Sequence, residues 1–217
     1  MSVWNWVSPY AWGLLAIGSV YVIGGVLGGA WNPLKLVEGA DGRPSTSKFQ
    51  WLFWTVIVLY SYVVLYVTRA RFGYDDAMAE IPTNVLYAMG FSAMTLTAAK
   101  GITVGYVNSQ RLTKTAARSP ADATISHLLT DDEGFPDLTK IQMMAWTVIT
   151  GVIYLSRVIQ LTYANIHRDA DLLQMPDIDK SLMLLMGLGQ GTYLGKKVTS
   201  MDSKIDTGGG EAVKPGS

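Results

Sequence analysis

The chain contains no cysteine, which excludes disulfides, thiolate metal sites and cysteine nucleophiles together. It has no excess of either charge: 17 Lys and Arg balance 17 Asp and Glu. No basic run of the kind that binds a polyanion is present, so nucleic acid is not expected as a partner. There are only two histidines, His127 and His167. The span assignment below puts them at opposite ends of the molecule, where they cannot share a metal or form a base–nucleophile pair. The long apolar blocks contain no Asp or Glu. Proton-coupled pumps usually need a titratable carboxylate inside the membrane, so that class is disfavoured. Carboxylates gather in the connections, at Asp131–Glu133, Asp169/Asp171 and Asp177/Asp179, and read as solvated faces. The Asp169–Asp179 loop lacks the ligand spacing and central glycine of a calcium loop. No acid–base pair collects in one place. We therefore expect a non-enzymatic protein with no metal and no cofactor.

Apolar residues are abundant and come in blocks. They make up 49% of the chain against 16% charged, and five stretches are candidates for crossing a bilayer: Ala11–Ala30, Trp51–Thr68, Thr83–Ala99, Met143–Tyr163 and Ser181–Gly195. A hydrocarbon core of ~30 Å needs about 20 helical residues. The first, second and fourth stretches approach that length; the third and fifth are shorter and rich in Gly and Ala. Trp4, Trp6, Tyr10 and Trp12 before and within the first stretch read as an interfacial aromatic belt. The start has no positively charged segment of the sort that opens a cleavable signal peptide. Arg157 is the one charge at depth and is expected to snorkel outward.

One pattern occurs twice. Lys48, Gln50, Trp54 and Thr55, followed by Val56-Ile57, match Lys140, Gln142, Trp146 and Thr147, followed by Val148-Ile149. Further on, Met89-Gly90, Thr95 and Lys100 match Met186-Gly187, Thr192 and Lys197. Hydrophobic composition does not supply shared Lys and Gln, so the chain reads as a tandem duplication. Pro44-Ser45 and Pro136-Asp137 precede the two copies, and Ser and Asp are good helix N-caps. Pro82-Thr83 and Pro176-Asp177 mark the second helix of each copy. Each copy is then a helical hairpin, and two hairpins with an even number of spans form a parallel repeat.

The expected fold is all-α, a multi-pass membrane bundle of five transmembrane helices. Its parts are an N-terminal helix and loop (1–43), hairpin repeat 1 (44–107), a linker with a short amphipathic helix over 121–129 (108–135), hairpin repeat 2 (136–199) and a disordered tail (200–217). The Lys and Arg distribution puts the linker and tail in the cytoplasm of a cell (plasma or inner) membrane and the N-terminus outside.

Small residues suggest where helices meet. Gly24/Gly28 and Gly25/Gly29 are spaced for close backbone approach, in a dimerisation face or in ordinary intrachain packing, the second being favoured. Gly187, Gly191 and Gly195 form a similar ladder, with Gly90 equivalent in the first copy. Thr95, Gln190 and Thr192 lie among these glycines as packing or pore-lining groups. Lys100 and Lys197 sit at the interface with Lys48 and Lys140 and could hold anionic headgroups. The face carrying Gln50, Trp54 and Ile57 is expected to pack on the Gly/Thr face of the next helix in its own hairpin, with a threonine accepting the indole N–H. The functional expectation is a membrane module that self-associates or anchors a membrane partner. The alternative is an oligomeric channel lined by Thr, Ser and Gln of the third and fifth helices.

Overall fold

The computed structural model describes residues 7–29, 31–39, 43–72, 78–108, 125–131, 134–164 and 173–208. Trp4, Trp6, His167, Asp169, Asp171 and residues 121–124 of the stretch expected to form the amphipathic linker helix lie outside these residues. Six α-helices follow in order: α1 (Pro9–Gly28), α2 (Pro33–Val37), α3 (Thr46–Arg71), α4 (Thr83–Asn108), α5 (Leu138–Ala164) and α6 (Lys180–Gly208), with one 3₁₀ turn at Ile125–Leu128. The described residues contain no strand, only two isolated β-bridges.

Among the described residues, four helices are long and apolar enough to cross a membrane: Pro9–Leu27 of α1, all of α3, Thr83–Gly105 of α4 and all of α5. The fifth candidate, α6, is not among them; Lys196 and Lys197 follow its short apolar half directly. The helix also runs further than expected. Residues 201–208, read above as part of a disordered tail, continue α6 to Gly208. Extending an existing helix costs far less than starting one, so a polar stretch can be carried along. The start of α6 differs as well: it begins at Lys180, with Asp179 accepting from the Ser181 N–H at 2.8 Å, and not at Pro176-Asp177.

α3 packs on α4 and α5 on α6; across these pairs, α3 meets α5 and α4 meets α6. α1 lies against α3. A Cβ on Gly13 would fall 2.7 Å from the Tyr60 ring, so the absence of a side chain there makes room for that ring between α1 and α3. The far end of α1 stops at Gly29, whose φ of 62° is the left-handed conformation that closes a helix. Leu14, Val26 and Leu27 of α1 are more than half exposed, as suits a helix facing lipid.

The segments leading into α3 and α5 fold alike. Glu38 bridges Pro44 as Thr130 bridges Pro136. Gly39 N–H donates to Arg43 C=O (2.7 Å) as Asp131 N–H donates to Phe135 C=O (2.8 Å). Ser45 N–H reaches Val37 C=O at 2.7 Å, and Asp137 N–H reaches Leu129 C=O at 2.8 Å. The Lys48 ammonium donates to the Glu38 carbonyl and the Lys140 ammonium to the Thr130 carbonyl (2.6 Å).

Candidate functional site

The first candidate is the face carrying the doubled motif. Gln50, Trp54 and Ile57 lie about one turn apart along α3 and are all buried. Their partner is α5 of the other hairpin, which corrects the expected pairing within one hairpin. The Gln50 amide donates to Thr147 Oγ1 at 2.5 Å, and Trp54 meets Tyr154 edge to face with ring centroids 6.3 Å apart. Gly151 of α5 makes room for the contact: a Cβ there would sit 2.7 Å from Ile57 Cδ1. The Trp54 indole N–H has no partner, so no threonine accepts it. Thr55 turns away and bonds its own helix at Trp51 C=O. The second copy of the motif is placed differently. Gln142 is exposed, Trp146 is half-buried and Ile149 is 45% exposed, whereas Thr147 is buried on the side of α5 that receives α3.

A buried polar contact joins α4 and α6, Thr95 Oγ1 donating to Gln190 Oε1 at 3.0 Å. Thr192 is exposed and returns its hydroxyl to Leu188 C=O. The glycine ladder expected to pack does not do so within the chain. A Cβ on Gly90, Gly191 or Gly195 would meet nothing within 4 Å, and one on Gly187 only the Phe91 ring at 3.8 Å. The close helix approach is at Gly189, where a Cβ would lie 3.2 Å from the Met143 Cα. Neither Gly189 nor Gly151 stands out by spacing. Gly151 lies opposite the motif residue Ile57, and Gly189 opposite Met143, beside the motif residue Gln142. In α1, Gly24 meets nothing, and Gly25 meets the Trp31 ring at 2.9 Å.

The second candidate is a cavity of about 480 Å³ at the end of the bundle where α3 and α5 begin. It gathers the four lysines singled out above, Lys48, Lys100, Lys140 and Lys197, and adds Arg43. The one carboxylate among its lining residues is Asp131; His127 also lines it. The first turn of α3 forms part of the wall through Ser45, Thr46 and Ser47. Thr46 is tied to the 3₁₀ turn through Leu128 C=O (3.0 Å).

The two helix starts at this end differ in one respect. Asp137 caps α5: its Oδ1 accepts from Thr139 N–H at 3.0 Å, Thr139 Oγ1 at 2.7 Å and Lys140 N–H at 3.5 Å. Lys196 closes a salt bridge to the same oxygen at 2.9 Å. Desolvation raises the pKa of Asp137, but the bonds from Thr139 and Lys196 outweigh it, and the net direction is downward. At α3 the corresponding residue is Ser45, whose side chain makes no capping bond. Ser47, in the place of Thr139, is 1% exposed, and its hydroxyl has no partner.

No group of three His, Asp or Glu that could hold a metal occurs among the described residues. No protein-family model, no curated protein and no solved structure matches the chain.

Proposed function

We propose that the chain is a non-enzymatic integral membrane protein that assembles with copies of itself head to tail. Its two hairpins, α3–α4 and α5–α6, are a tandem duplication, and α6 serves as a fifth span. The parallel hydrogen bonding ahead of α3 and α5, joined to the repeated residues, supports the duplication. The bias of Lys and Arg supports a cytoplasmic location for the end where α3 and α5 begin.

One observation carries the assembly: the motif face is covered in the first copy, whereas in the second Gln142 and Ile149 are exposed and only Trp146 packs partly against the core. Five residues at about 100° each put Thr147 roughly 140° round α5 from Gln142. α5 thus receives α3 on one side and presents its own motif face on nearly the other. Such an arrangement does not close on itself. The open face of α5, with Gln142, Ile149 and Ile153, is chemically the face that α3 buries in α5. The outer side of α3 carries Trp51 and Thr55, which stand where Met143 and Thr147 stand in α5. Trp51 is 43% exposed and Ile153 40%. A second copy bringing its α3 to this α5 would repeat the internal contact, with Gln142 donating to Thr55 as Gln50 donates to Thr147. Contacts between unlike faces build rings or open arrays, not twofold dimers.

Paired cysteines test this cleanly in a chain with none of its own. Gln50→Cys with Thr147→Cys should crosslink inside one chain and leave the mass unchanged. Gln142→Cys with Thr55→Cys lie on opposite sides of the α3–α5 pair and should crosslink only between chains, giving a ladder of oligomers. Closure of the first pair with no ladder from the second would refute the head-to-tail contact.

A further inference from the structure

We infer that the basic cavity is a binding site for a phosphate group, held at the first turn of α3 in the place that the Asp137 carboxylate takes at α5. The inference does not depend on the assembly. Three observations converge on it. The cavity walls bring five basic side chains together, Arg43, Lys48, Lys100, Lys140 and Lys197, and among the described residues the one carboxylate in the lining is Asp131. Basic side chains gathered in a recess concentrate anions. α3 is a 26-residue helix whose first turn opens on the cavity without a side-chain cap. Free N–H groups and the helix dipole at such a terminus favour an oxyanion. Finally, the buried Ser47 hydroxyl, a cavity-lining group, has no partner.

The comparison between the two helix starts sets the geometry. At α5 an oxyanion accepts from a hydroxyl, that residue's N–H and the next N–H, and takes a lysine as its counter-ion. The corresponding donors at α3 are Ser47 Oγ, Ser47 N–H and Lys48 N–H. The carboxylate is missing there, because residue 45 is Ser and residue 137 is Asp, and Ala99 stands where Lys196 stands. A tetrahedral phosphate oxygen can take these donors while its other oxygens face the lysines. A cavity of about 480 Å³ has room for more than one phosphate. The group can belong to a soluble phosphate compound or to the headgroup of an anionic lipid; the chemistry recognised is the same.

The test uses the full chain in lipid nanodiscs. In discs of phosphatidylcholine alone, inorganic pyrophosphate is titrated by calorimetry. In discs containing phosphatidylglycerol, lipid retained by the protein is read by native mass spectrometry. Binding of pyrophosphate assigns a soluble ligand, and selective retention of phosphatidylglycerol assigns a lipid. Ser45→Asp supplies the missing carboxylate within a good capping residue and should fold. It should weaken whichever probe binds by about tenfold or more, as should Ser47→Ala, since charge-assisted hydrogen bonds are lost. Lys180→Ala, at the other end of α6, should leave binding unchanged. Binding of neither probe overturns the inference, and so does a Ser45→Asp protein that binds as tightly as the parent.

Discussion

Replacing Gly189 and Gly191 by leucine should have different consequences, although the two glycines stand two residues apart on α6. A Cβ on Gly189 would lie 3.2 Å from the Met143 Cα and 3.7 Å from its amide nitrogen. These are backbone atoms, so they cannot swing aside; α5 and α6 would have to separate. Three further carbons of leucine enlarge the displacement. Overpacking a closed contact costs about 1–3 kcal/mol and occasionally more. Leucine recovers somewhat under ~1 kcal/mol over glycine through helix propensity. The expected net loss at position 189 is about 2 kcal/mol or more, taking the upper part of the overpacking range. At Gly191 a Cβ meets nothing within 4 Å, so only the propensity gain applies and stability should be unchanged or slightly higher. Thermal unfolding in detergent, followed by circular dichroism, compares the two variants. Equal destabilisation, or a tolerant position 189, would refute the assigned face of α6.

Trp54→Phe removes an indole N–H that has no partner, so its cost comes from lost volume only and should stay well below that of Trp54→Ala, about 3–5 kcal/mol. Chemical unfolding of the two variants checks the order. Asp137→Ala should cost about 0.5–2 kcal/mol through the lost cap. Because the folded state lowers the Asp137 pKa, this contribution is complete above the ordinary value of 3.8 and is lost as pH falls through the lowered one. Parent and variant unfolding midpoints should converge over that acid window and stay apart at neutral pH. In intact cells, Phe135→Cys should be shielded from impermeant reagents and Met78→Cys should react; the reverse pattern would invert the orientation.

The helices were legible because long apolar blocks bounded by proline and capping residues leave few alternatives. Their facing was not. α1 and α4 carry apolar residues on most sides, so periodicity cannot separate a side facing another helix from one facing lipid. That is why Gln50 and Trp54 were expected on α4 and are found on α5. The regular spacing of Gly187, Gly191 and Gly195 drew notice, yet close packing is set by what lies opposite, and Gly189 and Gly151 are the ones with a backbone or bulky ring against them. The four lysines were visible singly. Their meeting in one cavity depends on how four helix ends and two preceding turns converge, and Arg43 and Ser47 could be added only once that convergence was seen. The helical continuation to Gly208 was hidden by a composition typical of a tail.

The most direct test of the assembly is the mass of the particle extracted with its lipids. Native mass spectrometry from nanodiscs, with size-exclusion light scattering in a mild detergent, should give a multiple of the chain mass greater than one, falling when Gln142 and Ile149 are both replaced by charged residues. A particle that is strictly monomeric in both media would contradict the account.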